Sequence, residues 1–120
     1  MSQYDWAAEF NASVTVTDVE GRIIEMNDKS VEVFASDGGR ALIGRGVLDC
    51  HPEPARSKLR ALMKTGRTNV YTIQKNGKKK LVYQAPWFKD GRAAGFVEIS
   101  FDIPWDMPHF NRDPSGPVAE

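Results

Sequence analysis

The sequence predicts an α+β domain in which five antiparallel strands carry short helices on one face. Three observations lead there. Asn76-Gly77 and Asp90-Gly91 each stand between β-rich runs, and both dipeptides tolerate the positive φ that tight hairpins require. Val14-Thr15-Val16-Thr17 alternates strictly and is β-branched throughout. Apart from a short N-terminal segment, helical spacing of apolar residues is confined to residues 28–65.

Each element has its own local reason. Trp6 and Phe10 stand four apart, with Ala7 beside them and Asp5 and Glu9 elsewhere around the turn. Residues 1–10 therefore read as an N-terminal amphipathic helix with an aromatic edge. Residues 14–18 read as a strand, Glu20-Gly21 as a tight turn and residues 22–26 as the return strand. Asn27 suits the N-cap of a helix over residues 28–35 that turns Val31 and Phe34 inward. Residues 36–39 end it, and residues 42–49, with Gly44 and Gly46, are short and irregular.

Pro52 and Pro54 favour a helix start, and residues 53–65 place Leu59, Leu62 and Met63 at helical spacing before Gly66 caps the end. Strands follow over residues 68–75, 79–88 and 94–103. Lys75 and Lys78 to Lys80 flank the Asn76-Gly77 turn and read as a solvated hairpin tip that discourages edge aggregation. Pro104 and Pro108 block helical continuation. Residues 11–103 are thus one domain and residues 104–120 a C-terminal tail.

Composition narrows the function classes. The chain has 120 residues, 41% hydrophobic and 27% charged, which are ordinary globular values. Sixteen basic residues balance sixteen acidic ones, which argues against a nucleic-acid binder or an electrostatic membrane anchor. Cys50 is the only cysteine, so no intrachain disulfide forms. Residues 1–10 contain no continuous apolar run and read as neither signal peptide nor membrane span, so the expected location is the cytoplasm.

The ordered set Thr17-Asp18-Val19-Glu20-Gly21-Arg22-Ile23-Ile24, Asn27, Leu42-Ile43-Gly44-Arg45, His51-Pro52-Glu53, Gly91-Arg92, Gly95-Phe96-Val97 and Phe101-Asp102-Ile103 resembles the PAS family over residues 10–103. The resemblance implies a five-stranded antiparallel sheet with helices over one face and a pocket between. It also implies a bacterial signalling module that senses a small molecule, light or redox state and dimerises. PAS domains of kinases run from Asp-Ile-Thr into a signalling helix. Here Asp102-Ile103 is followed by Pro104-Trp105, so output is expected through association with a downstream signalling protein.

The familiar cofactors of that family fit poorly. Flavin photoreceptors carry a reactive cysteine just after the glycine-arginine stretch, where this chain has Val47; Cys50 comes three residues later. Haem sensors place an axial histidine where this chain has Leu59, which cannot ligate iron. His51 is the one histidine nearby, since His109 lies in the tail. Asp49-Cys50-His51 are sequence neighbours, whereas catalytic pairs are assembled from distant segments. No catalytic residue and no metal ligand set is therefore assigned, and an enzyme using Glu98 or His51 as general base lacks a supporting constellation.

Strand phase leaves one question open. Composition sends Val97, Ile99 and Phe101 to the core, whereas family phasing from Asp18 and Asp102 turns Thr15, Thr17, Glu98 and Ser100 into the pocket. In the second phase Tyr83 and Trp87 would sit beside Glu98 as an aromatic cage for a ligand amine. The candidate ligand-binding residues are then Thr15, Thr17, Tyr83, Trp87, Glu98 and Ser100. Val97, Ile99 and Phe101 would then form an apolar outer face that Trp6 and Phe10 or a second subunit must cover, and the five are the candidate homodimer interface. The leading expectation is a non-enzymatic sensory module binding a small molecule; the alternative is a dimerisation module with a filled pocket.

Overall fold

Both glycine dipeptides form the turns their chemistry favours. In the computed structural model, which describes residues 4–50 and 52–114, Asn76 and Gly77 take φ of 54° and 74°, and Asp90 and Gly91 take 52° and 78°. Positive φ at both central residues gives a turn whose twist matches that of the strands it joins. β3 (Asn69–Lys75), β4 (Lys78–Lys89) and β5 (Arg92–Ile103) therefore follow one another as antiparallel neighbours. β1 (Ser13–Thr17) pairs with the far side of β5, and β2 (Ile23–Met26) pairs with β1. The sheet order is β2-β1-β5-β4-β3, antiparallel throughout.

One irregularity decides which side chains share a face. Next to the second hairpin Lys89 pairs with Arg92 and Phe88 with Ala93, but Trp87 then pairs with Gly95, leaving Ala94 over as a bulge. Gly95 has φ of 152°, and a Cβ there would collide with the Thr17 carbonyl oxygen. The Trp87 indole N–H donates to that carbonyl at 2.9 Å. Beyond the bulge Gln84 stands opposite Glu98, and Tyr83 opposite Ile99. Thr15, Glu98 and Gln84 consequently share the face that carries the helices, while Val97, Ile99 and Phe101 line the outer face. The polar phase is the one the fold adopts.

Asn27 ties three segments together. Its Oδ1 accepts from the N–H of Val14 at 2.9 Å and of Ser30 at 3.0 Å, and its Nδ2 donates to the carbonyls of Ala7 and Ala12, both at 2.8 Å. The Ser30 bond caps α1 (Asp28–Val33), as the sequence predicts. The bonds to Ala7, with Asp28 N–H donating to the Ala8 carbonyl at 3.0 Å, tie down the amino terminus. Residues 6–9 form a turn, with Phe10 N–H donating to the Ala7 carbonyl at 3.3 Å, in place of the helix expected over residues 1–10. Residues 1–3 lie outside the described residues. The Trp6 and Phe10 rings still meet edge to face, 5.6 Å between centroids.

Single turns of 3₁₀ helix at Ala35–Asp37, Gly39–Leu42 and Val47–Cys50 lead from α1 toward α2 (Ala55–Thr65), which ends at Gly66 with φ of 68°. Ile23, Met26, Leu42 and Val47 form the core, joined by Val31, Phe34, Leu59 and Met63. That core lies under the β2–β1 half of the sheet. Over the other half α2 contributes no buried residue. No helix among the described residues is long and apolar enough to cross a membrane.

Asn27→Ala removes a helix cap and strands a buried N–H on β1. The expected loss is about 2–4 kcal/mol of unfolding free energy, read from the urea midpoint. A change within about 0.5 kcal/mol would show that the four bonds are not a structural tie.

Candidate functional site

A row of polar side chains crosses the inner face where α2 stands off from it. Register places Thr15 opposite Glu98, Glu98 opposite Gln84, and Gln84 opposite Asn69, so the four lie side by side on neighbouring strands. Asn69 Nδ2 donates to Gln84 Oε1 at 3.0 Å, and Gln84 Nε2 donates to Glu98 Oε1 at 2.9 Å. Every donor in this relay points toward the carboxylate, which polarises the chain of amides. Among the described residues, the second Glu98 oxygen, the second N–H of each amide and the Asn69 side-chain oxygen have no hydrogen-bond partner.

Above this floor is a cleft of about 790 Å³, walled on the α2 side by Ala55, Leu59 and Leu62. Tyr71, two residues along β3 from Asn69, shares the inner face and lines the same cleft. Burial, and secondarily the Glu98 carboxylate, pushes the Tyr71 phenol above its ordinary range. Lys58 and Arg67 stand at the mouth, both exposed. The cleft thus offers an apolar wall, a polar floor with both donors and acceptors, and cationic rims.

The six sequence-derived candidates divide. Thr15, Thr17 and Glu98 line a smaller hollow of about 50 Å³, which shares Leu59, Gln84 and Glu98 with the cleft. Both threonine hydroxyls are committed within the protein. Thr15 Oγ1 shares a hydrogen bond with Ser30 Oγ at 2.6 Å; Thr17 Oγ1 accepts from Phe96 N–H at 3.1 Å and donates to the Phe96 carbonyl at 3.4 Å. Ser100 is on the inner face but opens into another hollow, beside Lys29 and Glu32 of α1.

Tyr83 and Trp87 require correction. They lie on the outer face, because the bulge at Ala94 sets Glu98 opposite Gln84 rather than Tyr83. The amine cage expected from them does not form. Asp49 and Cys50 side chains and His51 lie outside the described residues. Sequence reasoning passed over Asn69, Tyr71, Gln84, Lys58 and Arg67. The first three could have been placed by counting outward from Asn76-Gly77, since a two-residue loop fixes Lys75 against Lys78 and hence Tyr71 against Val82.

No protein-family model and no curated protein sequence matches the chain. Solved structures do. A C-terminal domain from Streptococcus mutans superposes with a TM-score of 0.68 at 20% identity, over 80% of this chain and 78% of that one. The PAS domain of BvgS from Bordetella pertussis gives 0.62 at 18%, over 82% and 81%. The fold is PAS-like. A sensory box sensor histidine kinase from Vibrio cholerae gives 0.61 at 12%, over 82% and 86%. The cleft lies between α2 and the β5-β4-β3 end of the sheet.

Glu98→Gln leaves the Tyr71 phenol without its nearest carboxylate. Tyr71 is then expected to ionise at lower pH than in the wild type while staying above the usual range, because burial is the larger cause. Since the folded value is raised, the associated stability is present below the unfolded phenol value and is lost as pH climbs through the folded one. Tyrosinate absorbance during alkaline titration, with Tyr71→Phe as the subtraction reference, measures this. An unshifted curve in Glu98→Gln would break the link between the two groups.

Proposed function

We propose that the protein is a non-catalytic, cytoplasmic sensory or regulatory module that holds a small molecule between α2 and the sheet and signals through protein association. The observation that carries this is the cleft itself. Leu59 and Leu62 of α2 face a polar row across about 790 Å³ of open space, and no residue of α2 is buried. A filled-pocket interaction module would have α2 seated on the sheet with these leucines buried. An occupant with an apolar body and a polar end would cover the leucines and meet the free oxygen of Glu98 and the free amide hydrogens of Gln84 and Asn69.

Native mass spectrometry of freshly purified protein is expected to show a mass above that of the bare chain. Leu62→Trp fills the cleft from its wall and is expected to abolish the added mass with the far-ultraviolet circular dichroism unchanged. Glu98→Gln is expected to reduce it. A bare mass for the wild type, together with no thermal shift from any member of a metabolite collection, would favour the filled-pocket module.

The outer face supports the associative half of the proposal. Val97, Ile99 and Phe101 on β5 lie alongside Tyr83 and Leu81 on β4, all on the side away from the helices. Ala7 and Ala8 of the N-terminal turn border a hollow with Val14 and Val16 at the β1 end of this face. A second copy laid on this face would bury the rest, with the exposed Trp6 and Phe10 at its border. Analytical ultracentrifugation is expected to find a dimer that Ile99→Lys converts to monomer; a monomeric wild type at high concentration would remove this part.

A further inference from the structure

The balanced net charge conceals a segregation. Nine of the sixteen basic residues and none of the sixteen acidic ones lie between residues 55 and 80. That segment is α2, β3 and the first turn of β4. Its β3 is the sheet edge, because β3 pairs only with β4. Lys58 and Arg67 line the hollow at one end of β3, and Lys75, Lys78 and Lys80 line the hollow at the other, where Lys78 is paired with Asp102 at 3.6 Å and Lys75 and Lys80 add to the positive charge.

Between those cationic ends the edge is unprotected. Asn69-Val70-Tyr71-Thr72-Ile73-Gln74 contains no charge and no proline, and its register with β4 runs without a bulge. Those are the devices that normally blunt an edge. The two-residue loop makes Lys75 and Lys78 a hydrogen-bonded pair, and pairs alternate from there. Thr72 and its neighbours Val70 and Gln74 therefore turn their backbone N–H and C=O groups away from β4. Val70 is 51% exposed and Ile73 39%.

We propose that the β3 edge is a docking site for an extended peptide segment of another protein, with acidic residues flanking a β-prone middle. The partner would add a sixth strand to the sheet. Its backbone would meet Val70, Thr72 and Gln74, and its acidic ends would meet Arg67 and Lys58 on one side and Lys75 on the other. A second copy of this chain is disfavoured as the occupant, because antiparallel self-pairing sets Arg67 of one copy near Lys75 of the other. Nucleic acid would use the charge but leave the backbone groups and the exposed Val70 and Ile73 without partners. The proposal does not require the cleft to be occupied.

The test is fluorescence anisotropy with the full chain and a labelled peptide in which glutamates flank a Val-Thr repeat. Binding in about the micromolar range is expected, weakening as sodium chloride rises from about 50 mM to about 300 mM. Methylating the alternate backbone nitrogens that face β3 is expected to weaken it at least about tenfold. Thr72→Pro, which removes an outward N–H at a position where an edge strand tolerates proline, is expected to do the same. A lysine-flanked version should not bind. Undiminished binding of the methylated peptide, equal binding of the lysine version, or tighter binding of oligo-dT would each overturn the proposal. The methylated peptide decides it on wild-type protein if Thr72→Pro does not fold.

Discussion

The close approach of Gly95 to the Thr17 carbonyl is the constraint from which the arrangement of this sheet follows. No side chain fits there, so β5 must run with a glycine against β1 while the Trp87 indole closes over the same carbonyl. One residue, Ala94, is left unpaired beside it. Because strand periodicity is two, that single extra residue decides the face of everything beyond it on β4 relative to β5. It puts Glu98 next to Gln84, and through Gln84 next to Asn69. It also puts Tyr83 among Val97, Ile99 and Phe101. A site with a polar floor and an outer face with an apolar surface are two results of one bulge.

The floor in turn explains why α2 stands where it does. A helix presenting Leu59, Leu62 and Met63 gains roughly 1.5–3 kcal/mol for each such side chain fully buried. Met63 and Leu59 obtain part of this from the core around Val47 and Ile23. Leu62 faces instead a row of amides and a carboxylate, whose desolvation without new hydrogen bonds costs as much as the burial returns. Seating α2 on the sheet would strand the free oxygen of Glu98 and the free hydrogens of Gln84 and Asn69. The polar row therefore keeps the cleft open, and open space lined in this way suits a molecule able to satisfy both walls.

Legibility followed the range of the interactions involved. The hairpins at Asn76-Gly77 and Asp90-Gly91, the Gly66 cap and the Asn27 cap are decided by residues within a few positions, and all were readable. The N-terminal segment is a turn and not a helix, and its ties run to Asn27 and Asp28, some twenty residues away in sequence, where no local pattern shows them. The placing of Tyr83 and Trp87 beside Glu98 assumed uninterrupted pairing from the second hairpin. Gly95 in mid-strand was the available sign of a bulge. Tyr71 and Gln84 were countable from the first hairpin, whose register is regular. Charge segregation escaped because a net value averages over positions, and residues 55–80 differ sharply from the rest.

The cleft and the free edge are not separate surfaces. Asn69 and Tyr71 belong to β3, and both also line the cleft. A strand added outside β3 would hold those two residues in extended geometry from one side, while a molecule in the cleft would hold their side chains from the other. Occupancy of both surfaces would bear on the same two residues, so affinity at one would be linked to occupancy of the other. The coupling is reciprocal in affinity. Such a device needs no moving helix and no attached effector: an edge strand shared between an inner chamber and the outside is enough to let occupancy of one be felt at the other.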